Sequence, residues 1–262
     1  MVEGYSVRQL VQQSGHSRPW LHRLIGSFLA DAPPTPTLDP QTSRYLLFDG
    51  TFFHRPNSIV VLMDGQTRTL VRGQFGVREN SPPELRAFFK PMISEGLRPR
   101  SFTVDGNPQV IKVLKALWPD TVIQRCLVHI QRQGLNWCRR FPKTAYGRQL
   151  RQIFRKVIGI TTAADRDAFI NLVDDWEDRY GAEIADRKET GRVFSDIKRA
   201  RSMLLRALPD MFHYINDSNI PTTTNGLEGY FSRLKTRYRQ HRGLSPHRRS
   251  NYFAWYFHFA PR

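Results

Sequence analysis

Three short apolar runs, each closed by aspartate and glycine, constrain this chain more than any other feature. Tyr45-Leu-Leu-Phe48 runs into Asp49-Gly50, Ile59-Val-Val-Leu-Met63 into Asp64-Gly65, and Ser101-Phe-Thr-Val104 into Asp105-Gly106. Runs of this length bounded by turn residues predict strands. They are far short of the ~20 apolar residues of a spanning helix. Thr67 to Gly76 alternates loosely, as a strand pairing back on its predecessor does. Ser81-Pro-Pro-Glu84 then opens a helix that Pro91 is expected to kink and Gly96 to end. A helix over Val110–Leu117 and a fifth strand over Thr121–Gln124 follow. Three meandering strands followed by alternating helix and strand predict an α/β fold, a mixed five-stranded sheet with helices on its faces. Asp49 and Asp105 are expected at strand carboxyl ends, where such sheets place functional groups. Asp64 is expected to serve a turn on an antiparallel neighbour.

The flanks have a different texture. In residues 1–30, Ser6-Val-Arg-Gln9 fits a capping box, Ser14-Gly15 breaks the pattern, and Ser17 caps a second helix with Pro19 in its first turn. Helix, tight turn, helix is the outline of a helix-turn-helix that reads DNA, with Arg18, His22 and Arg23 as groove-facing candidates; an ordinary helical hairpin has the same outline. Residues 31–43 carry Pro33, Pro34, Pro36 and Pro40 and read as a semi-rigid linker. The strand-rich block then occupies 44–134. Over 135–215 the pattern turns helical, with stripes at Leu150, Ile153, Phe154 and Val157 and at Phe169, Leu172, Val173 and Trp176. Residues 216–262 return to a helix bearing Glu228 and a basic tail. Trp118, Trp137 and Trp176 are assigned to the core.

Charge narrows the partners. Forty Lys and Arg against 23 Asp and Glu give a formal net charge of +17 and a pI near 10.5. Such a field favours a polyanion, nucleic acid above all, because each neutralised phosphate releases counterions. No acid follows Glu228, while Arg233, Lys235, Arg237, Arg239 and Arg242 do, with aromatic residues between them. That is the pattern of a track for DNA phosphates. The only two cysteines, Cys126 and Cys138, make no disulfide framework and point to a reducing compartment, the cytoplasm. Arg8, Gln9, Gln12 and Gln13 interrupt any signal-peptide core.

Phosphodiester chemistry with two metal ions needs carboxylates that can share hard cations. Asp49, Asp105 and Glu228 are the candidates. The segments around them are Phe48-Asp-Gly-Thr51, Thr103-Val-Asp-Gly106, Ile123-Gln-Arg-Cys-Leu-Val-His129, and Thr222-Thr-Thr-Asn-Gly-Leu-Glu228 leading into Phe231-Ser-Arg-Leu-Lys235. In content and order, over roughly Tyr45 to Phe259, the sequence resembles the Asp-Asp-Glu transposases of the Mutator-like group. The resemblance implies a ribonuclease-H-like core with an all-helical insertion between the second Asp and the Glu. It also implies Mg²⁺, with Mn²⁺ as substitute, held by those three acids. Double-stranded DNA would be the partner, at transposon ends and at the target, in a nucleoid-associated protein. Pairing two ends suggests a homodimer. Cys126 and His129 match the group's Cys-x-x-His signature beside the active site, and Asn225 the position before the glutamate helix. The spacing alone leaves two readings of that pair, half of a zinc site or a buried Cys beside a satisfied His. Two other functions fit the same residues: a repurposed transposase that binds DNA without cutting, and a structure-selective nuclease that cuts without joining.

Overall fold

The computed structural model describes residues 2–34, 42–54, 57–186, 192–241 and 243–260. Five strands, β1 (Tyr45–His54), β2 (Asn57–Asp64), β3 (Leu70–Phe75), β4 (Ser101–Val104) and β5 (Val122–Arg125), form one mixed sheet in the order β3-β2-β1-β4-β5. Ten α-helices accompany it among the described residues. The first four are α1 (Val7–Ser14), α2 (Arg18–Phe28), α3 (Pro82–Ser94) and α4 (Pro108–Leu117). Then come α5 (Leu127–Cys138), α6 (Ala145–Lys156), α7 (Ala163–Asp186) and α8 (Arg192–Ala207), and finally α9 (Asn225–Tyr238) and α10 (Pro246–His258). The α/β class and the five-stranded sheet expected from the sequence are present. The contacts divide the chain into two compact units. One comprises Met1–Phe102, Asn107–Thr121 and Asn225–Arg262, and the other Thr103–Gly106 and Val122–Thr224. The boundary falls within β4.

The first unit follows from strand alternation. Leu47, Asp49 and Thr51 of β1 lie opposite Met63, Val61 and Ile59 of β2. Leu47, Ile59, Val61 and Met63 are buried against Leu227, Phe231 and Leu234 of α9 and Tyr252, Phe253 and Phe257 of α10. The alternate residue Phe48 meets Phe88 and Phe89 of α3, with ring centroids 5.9 and 5.0 Å away. Asp49 therefore belongs to the sheet face that α9 and α10 cover. One expectation is corrected here: β1 does not stop at Phe48. It continues through Gly50 to His54, paired with β2, so Asp49 sits in mid-strand and cross-strand pairing overrides the Asp-Gly turn signal. Asp64 does close a turn, its carboxylate accepting the Gln66 and Thr67 amides at 2.8 Å. The helix α3 runs on through Pro91.

The two N-terminal helices form as their caps predict. Ser6 and Gln9 complete the capping box, and Gly15 ends α1 with φ +71°. Ser17 caps α2. The end of α2 is gripped by α10. Asn251 donates to the Leu29 and Ala30 carbonyls, both at 3.0 Å, and the Trp255 indole to those of Phe28 (2.7 Å) and Asp31 (3.0 Å). Residues 35–41 of the proline-rich stretch, Pro36 and Pro40 included, lie outside the described residues.

The second unit is helical apart from β5 and the end of β4 among its described residues. Leu127, Ile130, Leu150, Ile153, Phe154, Phe169, Val173, Trp176, Ile197 and Leu204 share one core. Trp176 is buried and donates to the Tyr146 carbonyl at 3.1 Å. Trp118, in the first unit, is likewise buried, and Trp137 is partly buried against the helical core. Among the described residues no helix is long and apolar enough to cross a membrane.

Candidate active site

Two of the three candidate acids lie in the first unit. Asp49 is 9% exposed on β1, and its Oδ1 accepts the Gly50 amide at 2.8 Å. Glu228 is half-buried in the first turn of α9, where a carboxylate is favoured by the helix dipole. The alignment of helix on strand is fixed further along. Lys235 Nζ donates to Thr51 Oγ1 at 2.5 Å and stands 5.8 Å from the centre of the Phe53 ring, while Tyr238 meets Phe53 edge-on at 5.6 Å. Helix and strand numbers thus rise together. Glu228, two turns before Lys235 on the same side, is carried toward the Leu47–Asp49 half of the strand.

Asp105 belongs to the second unit, directly after β4. Arg125, from the end of β5, donates to the Asp105 carbonyl at 3.3 Å and is only 7% exposed. Burial lowers its pKa, and the Asp105 charge opposes that shift. Reading the sequence motif by motif gave Arg125 no role, although it sits inside Gln-Arg-Cys.

The glycines of these motifs have a common job. A Cβ on Gly50 would strike the Glu79 carboxylate, one on Gly106 (φ +103°) the Arg125 guanidinium, and one on Gly226 the Arg68 guanidinium. Each glycine following Asp49, Asp105 or Asn225 leaves room for a charged side chain to lie on the backbone. Glu79, whose own carbonyl accepts from Asn107 Nδ2 at 3.3 Å, is therefore an acid next door to Asp49 that sequence reasoning missed.

Among the described residues no group of three His, Cys, Asp or Glu side chains is placed to hold a metal ion. Comparison with known proteins then decides the family. The model of the Mutator family of transposases matches residues 58–250, more than half of the chain. The chain belongs to this family. The match takes in Asp105, Cys126, His129 and Glu228, and begins after Asp49. No curated protein matches the chain.

Cys126 and His129 form a pair, with His129 Nδ1 3.1 Å from Cys126 Sγ. Thr224 completes a small network: its amide reaches the same sulfur at 3.3 Å, and its hydroxyl lies 3.5 Å from the sulfur and 3.4 Å from the imidazole. Burial pushes the Cys126 thiol up, but the hydrogen bonds from His129 and Thr224 outweigh it and hold the thiol below its ordinary value. The network anchors the residue immediately before α9. Cys138 is free and buried in the helical core, where burial pushes its pKa up to about 12; it takes no part in the pair.

A test of this network follows from linkage. A folded-state pKa below the unfolded one stabilises the fold fully above the unfolded value, about 8.5, and the benefit fades as pH falls through the folded value. Under reducing conditions, Cys126→Ser should be less stable than the parent by about 1–2 kcal/mol near neutral pH. The gap should widen as pH rises toward that unfolded value. Urea titrations at several pH values measure it; a pH-independent gap removes the thiolate from the account.

The basic residues singled out from the sequence divide between places. Arg18, His22 and Arg23 are exposed on α2, with Arg18 Nε 3.4 Å from His22 Nε2. On α9, Lys235 shares the Glu228 border, whereas Arg233 and Arg237 lie on the opposite border of the buried stripe. Arg239 is exposed just beyond α9, and Arg242 lies outside the described residues. Asn225 is exposed at the start of α9.

Proposed function

We propose that the chain is an Asp-Asp-Glu DNA transposase with a ribonuclease-H-like core. It cuts strands at transposon ends and joins them to target DNA, with Asp49, Asp105 and Glu228 as catalytic acids. The observation that carries this reading is Asp49 on the β1 face under α9, with Glu228 at the near end of that helix, in a family of transposases. Carboxylate oxygens are the hard donors that Mg²⁺ and Mn²⁺ select, so the donor chemistry of Asp49, Asp105 and Glu228 fits such ions. The described side chains do not form a three-ligand cluster. When bound, the ions would activate the attacking oxygen and stabilise the leaving one. The chain's own groups position the substrate. Arg18, His22 and Arg23 on a helix-turn-helix, and Arg233, Lys235, Arg237, Arg239 and Arg242, hold double-stranded DNA by its phosphates. Cys126, His129 and Asn225 support the start of the Glu228 helix. Two copies on paired ends complete the assembly.

One observation favours a second reading. The formal net charge of +17 would equally serve a family member that binds DNA without cutting it. Incubating the full chain with duplex DNA and Mg²⁺ separates the readings. The transposase reading expects nicks and joined products that chelation abolishes. Binding without nicking makes the chain a DNA-binding derivative, and nicking of branched DNA without joining makes it a nuclease.

A further inference from the structure

On the opposite border of α9 from Glu228, within the first unit, lies a cavity of about 180 Å³. Arg68, Tyr230, Arg233, Arg237, Tyr256 and Glu3 line it. Three arginines face one acid, Glu3, and the rest of the lining is tyrosine and apolar. Neither Arg68 nor Arg233 makes a side-chain hydrogen bond or ion pair with a described residue. Tyr230 is 7% exposed, and its hydroxyl is buried with no hydrogen-bond partner, under the influence of the Arg233 and Arg237 charges. The Arg237 guanidinium stands 5.7 Å from the centre of the Tyr256 ring and pairs with Glu3 Oε2 at 2.7 Å, so a carboxylate already occupies one of the donors. A buried hydroxyl among guanidinium groups lacks one thing, an acceptor with several negative oxygens.

Arg68 adds an independent argument. Its backbone has φ +62°, a left-handed conformation that Gly or Asn adopts far more readily. The turn from Asp64 to Thr69 imposes it: Arg68 N–H donates to the Asp64 carbonyl at 3.0 Å and Asp64 N–H to the Thr69 carbonyl at 2.9 Å. A long cation at the least favourable position of a tight turn, with its guanidinium laid over Gly226, points to a role for the cation.

We propose that this cavity binds a backbone phosphate of the DNA on which the protein acts, with Arg68, Arg233 and Arg237 as the cationic ligands and the Tyr230 hydroxyl as a neutral donor. The assignment rests on the DNA-binding part of the function proposed above. It gives α9 two working borders, one for the acids and one for holding the strand.

The test uses the full chain and a duplex of arbitrary sequence, with affinity measured against salt concentration. Arg68→Asn removes the guanidinium and suits the left-handed backbone, so without DNA its melting temperature should equal or exceed that of the parent. Its slope of log affinity against log salt should fall by about 0.9, the value for one lost phosphate contact. Tyr230→Phe changes no charge and removes a hydroxyl that has no partner. It should melt no lower without DNA, yet bind several-fold more weakly. If the parent binds duplex and both variants bind it with unchanged affinity and slope, the cavity assignment falls while the function stands. A parent that does not bind duplex takes both down.

Discussion

Asp49→Asn should lose Mg²⁺-dependent strand cleavage by at least about a thousandfold, which at about 1.4 kcal/mol per tenfold is roughly 4 kcal/mol of transition-state stabilisation. The substitution is close to isosteric. Oδ1 of the amide can still accept the Gly50 N–H that Asp49 accepts at 2.8 Å, and the backbone pairing with Val61 does not involve the side chain. What is lost is a formal charge and the hard anionic oxygen that a magnesium ion would require. Melting temperature should therefore move by no more than a few degrees. Duplex affinity should hold or rise slightly, since one negative charge leaves a chain of net charge +17. Cleavage rate, thermal melting and duplex affinity together decide the point. A variant that still nicks DNA at near-parental rate would show that Asp49 is no catalytic acid, and with it the three-acid assignment would go.

The second large effect is expected at a glycine. Gly106→Ala should destabilise the fold by about 3–5 kcal/mol, the sum of a left-handed backbone penalty near 1–2 kcal/mol and the disturbance of a buried, hydrogen-bonded charge. At φ +103° the residue lies outside the conformations alanine favours, and the new methyl would overlap the Arg125 guanidinium. Arg125 cannot retreat cheaply, because it is 7% exposed and bonded to the Asp105 carbonyl at 3.3 Å. The matching control is Gly159→Ala in the same unit, where an added Cβ meets nothing within 4 Å and no unusual φ is required. Thermal melts should separate the two by about 10 °C, taking roughly 2–4 °C per kcal/mol for a chain of this size. Equal melting temperatures would remove Arg125 as the reason this position is glycine. Cleavage should fall with stability, since the displaced side chain borders Asp105.

These two positions also show what could be read from the residues and what could not. The strands around Leu46–Phe48, Ile59–Met63 and Phe102–Val104 were legible because apolar runs between turn residues have few other places to go. The caps at Ser6 and Ser17 were legible because capping is settled within three residues. The extent of β1 was not. Asp-Gly signals a turn locally, but pairing with β2 from Leu46 to His54 is decided by a neighbouring strand. The same holds for the side chains laid over the motif glycines. Glu79 lies 29 positions from Gly50, Arg125 19 from Gly106 and Arg68 158 from Gly226, and nothing in the order of letters joins them. A glycine after each motif residue was the available hint, and it says that something approaches without saying what. The Cys126–His129 pair was visible as spacing, whereas its third member, Thr224, was found only by folding.

The grip of Asn251 and Trp255 on the last carbonyls of α2 has a mechanical consequence. A reading head on a slack tether samples many bearings, and the place where a strand is cut then depends on tether length. Here the helix carrying Arg18, His22 and Arg23 is bolted to α10, which packs on the same sheet face as Asp49. Any duplex seized by those three side chains would be presented to that aspartate at one set offset, as on a ruler, so lengthening residues 35–41 should leave the cut position where it was.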